Sequence, residues 1–450
     1  MYELKVVNGT LITDGYSRRA DLAIDGGVVV EVADIGSLGP TRTEINAEGL
    51  LVLPGAVDVH FHCRAPSHPE RGTFHSETVA AAAGGVTTVF EMPISSPPCS
   101  RPEVLRSRRE LAESESVIDF ALYAGGAFGG ITSADELVEA GAIAFKLFTH
   151  EPPAHRAEDF GGLWAADEAS IYCALEAIEP TGLVCTIHPE NQSLIKMYES
   201  RARGEEAVSR PPVVEATAVA LASAMSLDIG TQVHFAHVSS ALAVDAIRAA
   251  RSVGAGVTGE TTPHYLSFTE EEISEFGSFV KVAPPLRSMF DLESLWKALR
   301  EDSLQMVASD HAPFTPEEKR LAPFALAGQG MPAVETMVPV VLDRALRGEL
   351  SLERCVELVA EAPARRFGIY PKKGTIQPGS DADIVLWDPT SEKILSAELF
   401  LSKAGGCGVA YDGMRLKGLL RTTMVRGRVV FDSGMVNETN WGEFVVPLGN

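Results

Sequence analysis

Between Pro54 and about Gly368, short apolar runs alternate with stretches of helical pattern, and this alternation limits the possible folds more than any other feature. Residues 57–60, 86–92, 119–123, 143–147, 183–188, 232–237, 256–261 and 306–309 have the length and composition of buried strands. Between them, stretches such as 76–83, 102–113, 213–226 and 241–250 read as helices. Eight strands alternating with helices predict an α/β chain folded as a (β/α)8 TIM barrel. A doubly wound sheet would need fewer strands and a glycine-rich phosphate loop, and neither G-x-G-x-x-G nor a Walker sequence occurs. The flanks differ from the middle. The first fifty residues read as short strands with tight turns, Asn8-Gly9 giving a hairpin signal, and β character returns after Tyr370. The expected division is a barrel over 54–368, with 1–53 and 369–450 pairing into one small sheet domain.

In such a barrel the chemistry sits at the C-terminal ends of the strands. The first run, Leu53-Pro-Gly-Ala-Val-Asp-Val-His60-Phe-His62, ends in two histidines that share a face because strand residues two apart point the same way. His188 ends the fifth run, His237 ends the sixth, and Asp310 follows the eighth. Phe145 and Leu147 should face the helices, which turns Lys146 into the barrel. Four histidines and an aspartate exceed what one tetrahedral zinc needs, whereas two ions bridged by an anion would use them. An ammonium among such ions would be repelled and starved of water. Lys146 could instead capture carbon dioxide and bridge as a carbamate, or bind a substrate carboxylate. A purely structural metal is the weaker reading, since structural zinc favours cysteine-rich shells. Cys63, between His62 and Arg64, should face away and pack.

The net charge of -23 argues against nucleic acid, which needs clustered Lys and Arg. No apolar stretch approaches the roughly 20 residues that span a bilayer, and the N-terminus lacks a signal-peptide layout. Six cysteines without CxxC pairing read as reduced thiols of a cytoplasmic protein.

Longer motifs carry a resemblance. Pro54-Gly-Ala-Val-Asp-Val-His-Phe-His62, Ala82-Ala-Gly-Gly-Val-Thr-Thr-Val, Phe145-Lys-Leu-Phe, Ile187-His-Pro-Glu-Asn and His237-Val-Ser-Ser occur in order. Glu260-Thr-Thr-Pro-His-Tyr-Leu, Ala283-Pro-Pro-Leu-Arg, Ser309-Asp-His-Ala-Pro and Gly374-Thr-Ile-Gln-Pro-Gly-Ser-Asp-Ala-Asp follow. From end to end the chain resembles the cyclic amidohydrolases: dihydroorotase, allantoinase, hydantoinase and dihydropyrimidinase. The resemblance implies His60, His62, Lys146 and Asp310 on one ion, His188 and His237 on the other, and carboxylated Lys146 bridging them. The ions would usually be zinc, and the β ends would form a small β-sandwich. A hydroxide bridging two ions would open a cyclic amide, with Asp310 carrying its proton to the leaving nitrogen. The family is often dimeric or tetrameric, so a homo-oligomer is expected.

The ring itself is less constrained. Arg64 completes His-x-His-x-Arg, a dihydroorotase-like signature in which the arginine grips a carboxylate. Against dihydroorotate, Ile94 stands where that pattern has Asn, and Phe314 where it has a second His. Thr262-Pro-His-Tyr-Leu and Pro313-Phe-Thr-Pro-Glu-Glu-Lys319 look closer to allantoinases and some hydantoinases. The tyrosine that follows the bridging lysine in dihydropyrimidinase-type hydantoinases is absent, the chain reading Thr149-His150-Glu151. An allantoin- or hydantoin-like ureide is therefore the expected substrate, with dihydroorotase, a non-catalytic scaffold and a deaminase as the rival readings. Arg64, Ile94, His264, Ala283 and Phe314 are the candidate substrate contacts. Glu70, Arg71 and Thr73 lie in the loop after strand one, either facing the substrate or solvated, while His68, His75, His150 and His155 read as surface residues and His234 as packed on the helix layer.

Overall fold

The computed structural model describes residues 1–128, 132–202, 210–437 and 439–449. Ala56–Phe61, Val86–Glu91, Asp119–Gly125, Ala144–Phe148, Cys185–His188, Val233–Phe235, Val257–Thr261 and Met306–Val307 pair in parallel, each with the next (barrel strands 1 to 8). Strand 8 closes on strand 1 through a bridge between His311 and Phe61, and the His62 N–H donates to the His311 carbonyl at 2.9 Å. This nearly closed eight-stranded ring is the (β/α)8 barrel that the alternating runs predict.

The barrel has two apolar layers. Phe145, Leu147, Cys185, Ile187, Val233 and Phe235 pack outward under the helices. Val57, Val59, Phe90, Met92, Tyr123 and Met306 fill the interior, plugged by Phe367 and Ile369. In strand 1 the pairing register slips between Asp58 and Phe61. Such a bulge flips the alternation, so inward Val57 and Val59 are followed by inward His60 and His62 while Phe61 and Cys63 join the outer layer. Strands 6 and 8 stop short of the expected 237 and 309, so His237 and Asp310 lie on the turns beyond them, with φ of 39° and 44°.

The helix Pro212–Ile229 corrects one sequence expectation, because by length and composition it is apolar enough to cross a membrane. Its Ala216, Val219 and Ala222 are buried in the barrel's outer layer. The two chain ends join in one nine-stranded sheet, in which Leu51–Pro54 pairs in parallel with Tyr2–Thr13 and antiparallel to Ile384–Ile394. The Asn8-Gly9 hairpin is not formed. Tyr2–Thr13 is one strand with a bulge between Val6 and Gly9, Asn8 takes φ of 66°, and the turn falls at Asp14-Gly15. Packing overrides the local turn signal there, since a Cβ on Gly9 would meet Val52 Cγ2 at 2.3 Å.

Candidate metal centre

The barrel's C-terminal rim collects the predicted donors. Nε2 of His60 and of His62 lie 3.3 and 3.5 Å from Asp310 Oδ1, and the three residues offer ligand atoms within 4.8 Å of one another. The His237 ring lies 5.2 Å from that of His60 and 4.5 Å from that of His188. Lys146 joins all five in the wall of one inner cavity of about 80 Å3. Its Nζ is buried and, among the described residues, has no hydrogen-bond partner.

Buried carboxylates behind this rim set its chemistry. Glu260 Oε1 sits 2.5 Å from His60 Nδ1 and accepts from the His237 N–H at 3.3 Å, while Oε2 meets His234 Nε2 at 3.0 Å. His60 is thereby held with Nε2 facing the cavity. Asp58 accepts from the backbone and hydroxyl of Ser309 at 2.9 and 2.5 Å and from the His60 N–H at 3.2 Å, joining the start of the centre to its end. Glu190 meets His188 Nε2 at 2.7 Å and Arg210 at 2.9 Å. Burial opposes the charge on Glu260 and Glu190, but the histidines on both and Arg210 on Glu190 hold them below the ordinary carboxylate range. Burial brings His60 down to about 4 and His62 and His237 well below the usual imidazole value. Neutral imidazoles have a lone pair to give, which metal binding requires. Burial also pushes Lys146 down to about 8 and Asp310 up to about 8.

This donor set fits divalent cations: nitrogen and oxygen atoms converge, an unpartnered buried amine lies among them, and among the described residues no cysteine faces the cavity. Glu260, Glu190 and Asp58 are the supporting residues that sequence reasoning missed. Glu260, next to last in a barrel strand, carried a local signal that could have flagged it.

The candidate substrate contacts separate into three groups. Arg64, Ile94 and Ala283 line the inner cavity. Phe314 lines instead an outer vestibule of about 1000 Å3, its ring lying under the guanidinium groups of Arg64, Arg71 and Arg156 at 5.2, 4.8 and 5.9 Å. His264 reaches neither cavity wall; it is fully buried against Tyr265, with neither ring nitrogen partnered among the described residues. Arg71 pairs with Glu318 at 2.5 Å, and Thr73 caps the helix Phe74–Ala83. His311 points away from the rim to Glu77 at 2.7 Å. Two histidines correct the sequence reading. His234 lies inside the barrel on Glu260, not in the helix layer, and His150 is buried beside His188 rather than at the surface.

A (β/α)8 barrel with a histidine, aspartate and lysine rim at its strand ends is a barrel built to hold divalent metal. The sequence matches the amidohydrolase family over residues 51–430, and the chain belongs to that family. It is 36% identical to an allantoinase of Rubrobacter xylanophilus, covering 95% of this chain and 98% of the relative. An L-hydantoinase of Paenarthrobacter aurescens is 33% identical, covering 99% and 98%. Among solved structures, the L-hydantoinase (dihydropyrimidinase) from Arthrobacter aurescens superposes with a TM-score of 0.93 at 32% identity, covering 99% of this chain and 100% of that one.

Proposed function

We propose that this protein opens the C–N bond of a cyclic ureide, an allantoin- or hydantoin-like ring, by metal-dependent hydrolysis. The observation that carries this reading is the buried rim of His60, His62, Lys146, His188, His237 and Asp310 in a chain similar throughout its length to allantoinases and hydantoinases. His60, His62 and Asp310 would hold one ion, His188 and His237 a second, with Lys146 between them as a carbamate. Zinc suits the nitrogen-rich set. Bound there, such ions would supply Lewis acidity, lowering the pKa of a water and polarising the amide carbonyl. The carbamate reading is supported by an amine that burial brings down to about 8, since only a neutral amine captures carbon dioxide.

The chain's own groups do the rest. Asp310, against both strand 1 histidines and ionised once a cation beside it offsets its burial, takes the proton of the attacking water and returns it to the leaving nitrogen. Glu260 and Glu190 keep the imidazoles oriented. The Nε and Nη1 of Arg64 are buried and without a partner among the described residues, which leaves donors for a ring carbonyl. A dihydroorotase is the second reading, because the same free donors would accept a carboxylate. Six free cysteines support a reducing, cytoplasmic setting, and the family's habit supports a homo-oligomer, dimer or tetramer.

The test is ring opening by zinc-loaded protein, prepared with bicarbonate, on allantoin, hydantoin, dihydrouracil and dihydroorotate in parallel. Turnover of allantoin or hydantoin with none of dihydroorotate is the expected result. Turnover of dihydroorotate alone would favour the second reading, and silence on all four with metal bound would refute both.

A further inference from the structure

We infer that His150 is a specificity-determining residue that accepts a hydrogen bond from a ring N–H, so that the pocket selects rings whose nitrogen is unsubstituted. This rests on the reading of the substrate as a cyclic ureide. The chain leaves barrel strand 4 at Phe148, and the Thr149 hydroxyl pins the turn by donating to the carbonyls of His188 and Glu190 at 3.0 and 2.9 Å. His150, the next residue, lines both the inner cavity and the vestibule, where the two meet. Its ring packs edge-on to His188 and Phe148, at 4.8 and 6.0 Å between centroids, which fixes its plane.

The tautomer follows from its contacts. Nδ1 lies 2.7 Å from the Glu151 carbonyl, a group that only accepts, so Nδ1 carries the proton. In the neutral ring Nε2 is then a bare lone pair. That nitrogen is buried and without a hydrogen-bond partner among the described residues. The nearest carboxylate, Glu190, is 4.0 Å away and already shared by His188 and Arg210, so it supplies no proton. A buried acceptor left unpaired is unfavourable, and a donor from the ligand removes the penalty. The same cavity holds the complementary groups, the unpartnered Nε and Nη1 of Arg64. A ureide presents N–H and C=O on one planar ring, so it meets the acceptor of His150 and the donors of Arg64 together.

The experiment compares hydantoin with 1-methylhydantoin and 3-methylhydantoin, which remove the two ring N–H groups one at a time, on zinc-loaded full-length protein, for the wild type, H150L and H150Q. Dissociation constants by calorimetry, kcat and KM, and bound metal are read for each. The wild type should favour hydantoin over one of the two methylated rings by about tenfold or more, from the loss of one buried hydrogen bond. H150L should lose that preference through a higher KM, with kcat and metal content little changed, and H150Q, which keeps an acceptor near the Nε2 position, should restore it. An H150L protein with the wild-type preference would overturn the inference. So would a wild type indifferent to methylation at both nitrogens, or a loss in H150L that falls on kcat and bound metal, which would make His150 a support of the centre. Binding without turnover in the wild type would sink the proposed activity alone, leaving His150 to be judged on the dissociation constants.

Discussion

Glu260 touches two histidines and the backbone of a third with one carboxylate, so its removal should be felt at the metal before anywhere else. The E260A variant is expected to bind zinc about 10–100-fold more weakly, measured by competition with a chromophoric chelator. Asp310 behaves differently. D310N should still bind hydantoin near the wild-type dissociation constant while kcat falls by about 10²–10⁴, the usual worth of a positioned proton carrier. Unchanged turnover in D310N would remove Asp310 from the proton path. For Lys146, K146A should retain at most one ion per chain, with no gain from added bicarbonate. Two tightly held ions in that variant would exclude the bridging role.

Elements fix these residues through departures from regular geometry. The slip in barrel strand 1 turns His60 and His62 inward after Val57 and Val59 have already pointed inward. His237 and Asp310 both take left-handed backbone just beyond their strands, a conformation few side chains adopt without tertiary support. That support is visible: Glu260 on the His237 N–H, and Asp58 on Ser309 before Asp310. The bulge at Gly9 has its own test. In G9A the new Cβ would meet Val52 Cγ2 at 2.3 Å and Ala47 Cβ at 3.2 Å. Overpacking of that kind costs about 1–3 kcal/mol, so Tm should fall, and an unchanged Tm would mean the strand relaxes freely.

Across the whole molecule, the barrel and the terminal segment 401–403 are joined through buried acids. Glu335 Oε1 accepts from the backbone of Leu401 and Ser402 at 2.8 and 3.1 Å, and Glu77 accepts from the Ser402 hydroxyl at 2.5 Å. Burial pushes Glu335 up to about 7 from 4.5, so the folded protein holds this proton after the unfolded chain has released it. Stability from this group is full below about pH 4.5 and is lost as pH rises to about 7. E335Q should therefore lose less Tm than the wild type between pH 5 and 7.5, and parallel pH curves would show that the acid is already ionised.

Much of the barrel and its rim is legible in the linear chain, because strand alternation has a period of two and needs no distant partner. Phe145 and Leu147 outward with Lys146 inward follow from that period alone. So does the shared face of His60 and His62, and the resemblance motifs assign the remaining donors. What the sequence could not order is everything that depends on contacts across the fold. His60 and Glu260 are 200 residues apart, and Ser309 and Asp58 are 251 apart, so no local pattern announces either pair. The Asn8-Gly9 turn signal yields to Val52, a neighbour brought close only by sheet pairing. His150 reads as a surface residue in a polar loop, yet Thr149's bonds to the next strand fold it into the cavity wall. The sequence by itself determined which side chains have the chemistry and, where the strands run without a bulge, which way they turn them. Only the tertiary structure decided which carboxylate backs each histidine, where a bulge resets the alternation, and which polar atoms are left unpaired, because burial and pairing are properties of the closed barrel rather than of any one segment.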